Sequence, residues 1–251
     1  MSNDTIPAEP WTGPLPVLEA VAKMIDHSLL RPELTGAEVT AGLEAALAYR
    51  TASVCVRPAD VAAAAVALAG SEVLLGTVVG FPHGSSTVAA KVSETTELVG
   101  AGAQEVDMVV NIGRLRTGET AYVHDEIAAV VEAAQGRAVK VIFENAYLDD
   151  EQKTAGYRAA ESAGAAFVKT STGFAPGGAT AHDIALMRRT VAPHVQVKAA
   201  GGVRTLDALL YLHHLGATRF GATATAAILD DLAGRLQGAT PRTSPGAGQE
   251  Y

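Results

Sequence analysis

Short apolar runs alternate with alanine-rich segments of helical periodicity along most of the chain. Each run is four to seven residues long and largely apolar, a pattern typical of strands that are buried on both faces of a parallel sheet. The runs predict eight strands, at residues 24–28, 53–56, 73–79, 105–110, 139–143, 167–170, 196–200 and 219–222.

The segments between the runs predict eight helices, at residues 37–49, 59–69, 86–101, 121–134, 150–163, 181–191, 206–215 and 224–236. Strands that alternate strictly with helices must be parallel, and eight such units close into a barrel without an edge strand. An open doubly wound sheet is the alternative, but it would place a glycine-rich phosphate loop after the first strand. The sequence Asp26-His27-Ser28-Leu29 at that point contains no such loop. We therefore predict an α/β fold, a single (β/α)8 TIM barrel.

The two ends of the chain differ in composition from the rest. Residues 1–16 contain four prolines and no periodicity, and residues 238–251 are rich in glycine, proline, serine and threonine. Both lack the apolar content that offsets the entropy of ordering. The prediction is one barrel domain over residues 17–237, with short flexible tails at 1–16 and 238–251.

Charge and cysteine content narrow the range of partners. The 251 residues carry a formal net charge of −8 with scattered basic residues, which disfavours a nucleic-acid partner but allows a small anionic ligand in a local positive pocket. The one cysteine cannot form an internal disulfide, and the apolar stretches are too short to span a bilayer. With no targeting signal in the N-terminal residues, we expect a cytoplasmic protein without a membrane partner.

Three charged residues interrupt the apolar strands. They are Asp107 in EVDMVV, Lys169 in FVKTST and Lys198 in VQVKAAGG. Burial of a charge is costly unless the charge is paired or used, and ionisable groups at the carboxyl end of a barrel are the usual catalytic groups of this fold. The spacing places the two lysines on adjacent strands, the sixth and the seventh.

Two neighbouring lysines suggest an amine that is partly uncharged. Two ammonium groups about 5 Å apart at an effective dielectric constant of about 20 repel by about 3 kcal/mol, and desolvation acts in the same direction. An uncharged lysine can attack a carbonyl carbon, and Asp107 can then move protons around the resulting imine. The alternative is a structural salt-bridge network of two lysines and one aspartate. Glu144, at the end of the fifth predicted strand, could form a salt bridge with Lys140.

Glycine and hydroxyl residues follow the last three predicted strands and form a candidate phosphate site. Such loops let backbone N–H groups approach an anion near a helix N-terminus, although each cluster alone also fits an ordinary turn. The candidate residues are Thr172 and Gly173 after the sixth strand, Gly201, Gly202 and Arg204 after the seventh, and Gly221 and Thr223 after the eighth.

Several motifs together resemble the deoxyribose-phosphate aldolase family, and they cover nearly the whole predicted barrel. The two most specific are FVKTSTGF and KAAGGVR. The others are IDHSLL, SVCV with a nearby proline, VVGFPHG, GAQEVDMVVNIG and KVIFE, in the order of the family. The resemblance implies a class I aldolase, a carbon–carbon lyase that splits 2-deoxy-D-ribose 5-phosphate reversibly into acetaldehyde and D-glyceraldehyde 3-phosphate in deoxyribose phosphate catabolism.

The resemblance also implies roles for individual residues. Lys169 matches the lysine that forms the Schiff base, Lys198 the second lysine that perturbs it, and Asp107 the aspartate of proton transfer. Asp26 is then expected to pair with Lys198, with a strand-end cap as the alternative. The reaction needs no metal and no cofactor beyond the covalent Schiff base, and members are often homodimers or homotetramers.

Other positions receive supporting roles from the same resemblance. Ser28, Cys55 and Thr170 are expected near the site, although Cys55 also fits a small buried apolar residue. Tyr251 at the chain end is a possible proton relay, with a free end as the alternative. Many relatives have two serines after the glycine of the eighth strand, whereas this chain has Thr223 and Ala224, which suggests weaker phosphate binding.

Other functions fit the same residues less well. They are a different lysine-dependent barrel aldolase with another donor, a non-catalytic or isomerase-like phosphate-binding barrel whose lysines are structural, and a zinc-dependent aldolase. No cluster with the spacing of zinc ligands accompanies His27 or His83.

Overall fold

The chain forms a closed barrel of eight parallel strands in sequential order, which confirms the predicted TIM barrel. The computed structural model describes residue 6 and residues 9–241. Every strand lies within one residue of its predicted ends. The strands are β1 Ile25–Leu29, β2 Ser53–Val56, β3 Leu74–Val79, β4 Glu105–Val109, β5 Ala138–Ile142, β6 Phe167–Lys169, β7 Gln196–Ala200 and β8 Arg219–Ala222.

The helices surround the barrel and include all eight that the sequence predicts. They are α1 Leu18–Ala22, α2 Gly36–Tyr49, α3 Val61–Ala67, α4 Val88–Gly100, α5 Ile112–Arg116, α6 Thr120–Ala133, α7 Asp150–Ser162, α8 Ala181–Thr190, α9 Leu206–His214 and α10 Thr225–Leu236. The sequence did not predict α1 and α5, because five residues are too few to show a helical period. A 3₁₀ turn at Pro58–Asp60 precedes α3 and makes that helix shorter than predicted.

Local sequence signals fix several helix ends. Thr35 with Glu38 and Asp149 with Gln152 form reciprocal capping boxes at the starts of α2 and α7. Gly102, which follows α4, has a φ of +113°, in the left-handed region that glycine enters without steric cost. These signals turn each helix back toward the next strand.

Alternate residues of the strands face opposite sides of the barrel wall. In β4, Val106 and Met108 belong to the hydrophobic core between strands and helices. Glu105 and Asp107, on the other face, contact charged residues of other strands. Because successive strand side chains point to opposite faces, the helices cover an apolar layer while the barrel interior is charged at this level.

The N-terminal segment packs against the barrel where the structure describes it. The backbone N–H of Trp11 donates to Asp207 Oδ1 at 2.7 Å, and the Trp11 ring lies 5.7 Å from the ring of His214, both partners being in α9. Leu15 also contacts the core. Among the described residues, no helix combines the length and apolar character that a membrane span requires.

Candidate active site

The candidate site is a group of buried charged side chains inside the barrel. Asp107 accepts hydrogen bonds from Lys169 Nζ and from Lys198 Nζ on the same oxygen, Oδ2, each at 2.7 Å. Its other oxygen accepts from Lys140 Nζ at 2.9 Å. The strand register explains the arrangement, because Lys169 lies opposite Lys198 and Asp107 lies opposite Lys140. The structure therefore brings together the three residues that the sequence singled out.

Asp26 lies on the other side of Lys198. Its Oδ2 is 2.5 Å from Lys198 Nζ, so the expected ion pair is present. Its Oδ1 accepts hydrogen bonds from Arg219 at 2.6 Å and from Ser53 at 2.7 Å. Lys198 consequently has two carboxylates as partners, whereas Lys169 shares one of them.

Because their carboxylate partners differ, the pKa values of the two lysines shift in opposite directions. Burial lowers the pKa of Lys169, Asp107 opposes that effect, and the positive charge of Lys198 adds to it, so that the pKa lies below its ordinary value. Burial also opposes the charged form of Lys198, but Asp107 and Asp26 together outweigh it and raise the pKa of Lys198. The sequence argument gave the leading part to repulsion between the lysines; in the structure burial is the larger cause.

The sequence missed a second layer of charges beneath these residues. Lys140 Nζ donates to Glu105 at 2.7 Å, and Arg219 contacts both Glu105 and Asp26. The ring of Phe167 lies 5.8 Å from Lys140 Nζ and 5.3 Å from the Arg219 guanidinium. The period of two along the strands was the available signal, since Glu105 precedes Asp107 by two residues.

The ion-paired group has an uneven number of charges. Among the described residues that these ion pairs join, four are basic, Lys140, Lys169, Lys198 and Arg219, and three are acidic, Asp26, Glu105 and Asp107. An unpaired charge inside a barrel is costly, so the group favours loss of one proton. Lys169 is the member whose pKa is lowered toward that loss.

Glu144 is not the partner of Lys140 that the sequence suggested. Its Oε2 accepts from the backbone N–H of Thr172 at 3.1 Å and also from the Thr172 hydroxyl. Thr172, a candidate phosphate ligand, thus directs its hydroxyl proton to Glu144. The prediction was wrong because Lys140 points into the barrel toward Glu105 and Asp107, whereas Glu144 follows the strand end at a φ of +53°.

The loops after the last three strands contain the other candidate phosphate residues. Gly173, Gly201 and Gly202 all have φ angles between +82° and +88°. A Cβ on Gly201 would lie 2.8 Å from Gly178 Cα, so the close loop approach requires glycine there. Gly221 is the next-to-last residue of β8 and lies beside Lys198, where a Cβ would be 3.6 Å from Lys198 Cε.

The start of α10 closes the same side of the barrel. Thr223 is exposed, and Ala224 is the N-cap residue of α10, without a side-chain hydrogen bond. The Thr225 hydroxyl lies 2.8 Å from His27 Nδ1 and ties the helix N-terminus to β1. Arg204 is exposed in the loop after β7. This end of the barrel therefore presents a helix N-terminus and glycine-rich backbone together.

The expected supporting residues have distinct surroundings. The Thr170 hydroxyl exchanges hydrogen bonds with the backbone of Ala200, both at 3.0 Å, and so ties the end of β6 to that of β7. Ser28 is half-buried, and its hydroxyl lies 3.5 Å from the Asp26 carbonyl. Burial and then the negative charge of Asp107 raise the pKa of Cys55 to about 12, which keeps it a neutral thiol.

Two further observations complete the site. The rings of Phe81, after β3, and Phe174, after β6, meet edge to face with centroids 5.2 Å apart, so these two loops touch at the carboxyl end of the barrel. Within residues 9–241, no group of three or more His, Cys, Asp or Glu side chains is arranged to hold a metal ion. Tyr251, the possible proton relay, lies outside the described residues.

Comparisons with known proteins find relatives that match most of the chain. The sequence model of the DeoC/LacD family of aldolases matches residues 20–230. The deoxyribose-phosphate aldolase of Bacillus mycoides is 50% identical over 210 residues, which are 83% of this chain and 94% of that protein. Deoxyribose-phosphate aldolase 2 of Bacillus licheniformis is 49% identical over 216 residues, 86% of this chain and 97% of that protein.

A solved structure has a similar fold at lower sequence identity. The deoxyribose phosphate aldolase of Aeropyrum pernix, described as a tetramer, superimposes with a TM-score of 0.81 at 27% identity. The match covers 86% of this chain and 92% of that one.

The Asp26 carboxylate gives a test of the charged interior. Burial favours the neutral form, but Lys198, Lys140 and Arg219 outweigh it and hold the pKa of Asp26 below its ordinary value of 3.8. A lowered pKa means that the stabilisation is present above pH 4 and is lost as the pH falls below 3.8. We expect Asp26→Asn to reduce the free energy of unfolding at pH 7 by about 3–5 kcal/mol, because it leaves buried cations without a partner.

Urea unfolding of wild type and variant at pH 7 and pH 3 measures this effect. The deficit of the variant should shrink by about 1 kcal/mol at pH 3, where an unfolded aspartate is mostly protonated. Asp230→Asn, at an exposed carboxylate, is the control and should change stability little at either pH. An Asp26→Asn deficit that is equal at both pH values would contradict the account.

Proposed function

Because this chain belongs to the DeoC/LacD family of aldolases, we propose that it splits 2-deoxy-D-ribose 5-phosphate reversibly into acetaldehyde and D-glyceraldehyde 3-phosphate, in deoxyribose phosphate catabolism. The observation that carries the proposal is Lys169, a buried lysine with a lowered pKa at the carboxyl end of a barrel strand. Catalytic groups of this fold lie at that end.

Lys169 is the proposed nucleophile. Its uncharged amine attacks the C1 carbonyl carbon of the open-chain sugar, and loss of water from the carbinolamine leaves an iminium ion. The C2–C3 bond then breaks as the C3 hydroxyl loses its proton, and the electron pair of that bond moves into the iminium to form an enamine. Protonation of the enamine at C2 and hydrolysis release acetaldehyde and restore the amine.

Asp107 and Lys198 are the proposed proton-transfer pair. One oxygen of Asp107 contacts both lysine nitrogens at 2.7 Å, so a proton can pass between the reacting nitrogen and Lys198 with little movement. Attraction from the lysines outweighs burial and holds the pKa of Asp107 well below its ordinary value, so the resting carboxylate is ionised. Lys198, whose pKa is raised, then stores the proton.

The phosphate is proposed to bind at the loops after β6, β7 and β8. Gly201 and Gly202 bring backbone near the anion, and the N-terminus of α10 contributes a favourable dipole. Because the Thr172 hydroxyl donates to Glu144, we assign phosphate binding to backbone groups of Gly173, Gly201 and Gly202, with Thr223 and Arg204 as side-chain ligands.

We further propose a homodimer or homotetramer in the cytoplasm. The tetrameric description of the Aeropyrum pernix protein supports an oligomer, and the free Cys55 fits a reducing compartment. Light scattering in solution measures the oligomeric state, and a monomer would exclude that part of the proposal.

Trapping of the imine tests the nucleophile. Acetaldehyde with borohydride should leave an ethyl group on the peptide that contains Lys169, as read by mass spectrometry. Lys169→Met should abolish that label and reduce turnover by more than about a thousandfold, because the covalent route supplies most of the acceleration. Lys153→Met, at a lysine that pairs with Asp183 outside the site, is the control and should keep the ethyl label on Lys169 and the wild-type turnover. A Lys169→Met protein with wild-type turnover would disprove the proposal.

Ala224 tests the phosphate site. A serine there adds a hydroxyl at the N-cap of α10, and a hydrogen bond to a charged group contributes about 1.5–3 kcal/mol. We expect Ala224→Ser to lower KM for the phosphorylated sugar by about tenfold or more, with little change for 2-deoxyribose itself. Ala233→Ser, near the other end of α10, is the control. Steady-state kinetics with both sugars measure this effect. An unchanged KM for the phosphate ester would contradict the proposal that position 224 contributes to phosphate binding.

A further inference from the structure

Glu144 is a buried carboxylate near the proposed nucleophile. The reaction proposed above assigns it no role. It follows β5 and is only 2% exposed. Its φ of +53° lies in the left-handed region, which is unfavourable for a residue with a long side chain. Such a conformation persists when the surrounding structure holds it, and here the hydrogen bonds from Thr172 hold the Glu144 side chain.

The two oxygens of Glu144 have different surroundings. Oε2 accepts both the backbone N–H and the hydroxyl of Thr172, and the Thr172 hydroxyl in turn accepts the N–H of Phe174 at 3.0 Å. Oε1 is buried, and no donor within the described part of the chain forms a hydrogen bond with it. A buried carboxylate oxygen without a donor costs free energy, so a ligand that supplies a donor would bind favourably.

The position of Glu144 connects this oxygen to the site. The backbone N–H of Asn145 donates to the Thr170 carbonyl, and that of Phe143 donates to the Lys169 carbonyl. Burial raises the pKa of Glu144 above its ordinary value, although the hydrogen bonds from Thr172 and the charge of Lys169 act in the opposite direction. Glu144 is therefore close enough to Lys169 for their charges to interact, on the side where β5 meets β6.

We propose that Oε1 of Glu144 accepts a hydrogen bond from the C4 hydroxyl of the sugar phosphate, and so makes Glu144 a specificity-determining residue. The inference rests on the proposed function. In the open-chain substrate the C1 carbon is bound to Lys169, the C3 hydroxyl is the reacting group, and the C5 oxygen carries the phosphate. The C4 hydroxyl is the remaining donor, and it lies between the imine and the phosphate loops.

The C4 hydroxyl becomes the C2 hydroxyl of D-glyceraldehyde 3-phosphate, so the reverse reaction isolates its contribution. D- and L-glyceraldehyde 3-phosphate have equal intrinsic reactivity and differ only in the direction of this hydroxyl. A site that forms a hydrogen bond with this hydroxyl in one enantiomer discriminates against the other enantiomer, because the buried acceptor is then left without a donor.

Glu144→Gln is the matched variant. Its single amide oxygen can keep both hydrogen bonds from Thr172, because both already go to one oxygen. The amide NH₂ then replaces Oε1, and an acceptor becomes a donor. We expect the ratio of kcat/KM for the D over the L aldehyde to fall by about tenfold or more, while thermal unfolding shows a folded protein.

Two controls separate the possible failures. Glu161→Gln changes a carboxylate that accepts the Ala192 N–H outside the site, and it should keep the wild-type ratio. Borohydride trapping of acetaldehyde on Lys169 involves no hydroxyl, so its failure in the wild type would count against the aldolase proposal instead. If Glu144→Gln does not fold, Glu144→Gly suits the left-handed backbone and has the same expected result.

Two results would overturn the assignment of Glu144. One is a wild-type protein that accepts both enantiomers equally, whatever the variants do. The other is a folded Glu144 variant that keeps the wild-type ratio.

Discussion

One carboxylate inside the barrel determines the arrangement of the site. Asp107 is in contact with three lysines, and its Oδ2 holds Lys169 and Lys198 within 2.7 Å of the same atom. Two ammonium groups would not stay so close without it, because their repulsion in a buried site amounts to several kcal/mol. The same contact gives Lys169, the proposed nucleophile, a carboxylate that could transfer its proton without any rearrangement.

The two lysines differ because their partners differ. Lys198 has Asp26 as a second carboxylate, and Asp26 is itself held by Arg219 and Ser53. Lys169 has no such second partner among the ion pairs of the interior, and burial therefore dominates its pKa. The fold thus produces one charged and one readily uncharged amine from two lysines that are neighbours in register. The Thr170 hydroxyl maintains that register by bridging to Ala200.

The sequence predicted the barrel well because its signal is local. Apolar runs and capping residues such as Thr35 and Asp149 define strands and helices without knowledge of their neighbours. Asp107, Lys169 and Lys198 stood out for the same reason, as charges within apolar strands. Five-residue helices such as α1 carry no periodic signal and were missed.

What the sequence could not give is the pairing between distant strands. Glu105 and Arg219 are 114 residues apart, and nothing in either segment indicates the contact. Glu144 was assigned to Lys140 on proximity along the chain, whereas its left-handed backbone directs it to Thr172 in the next loop. The sequence analysis named desolvation as a cause of the lowered pKa of Lys169, but it could not show that burial outweighs the repulsion between the lysines, because the extent of burial depends on the closed barrel.

The central claim is that Lys169 is the readily uncharged amine of the interior. NMR titration of protein with ¹³C-labelled lysine ε-carbons measures it directly, with the Lys169 signal assigned by its absence in a Lys169→Met protein. The account predicts that Lys169 titrates below the ordinary value of 10.5 and that Lys198→Met raises its pKa, because a repelling charge is lost and Asp107 becomes more available to Lys169. A Lys169 signal that titrates at or above 10.5 in the wild type would contradict it.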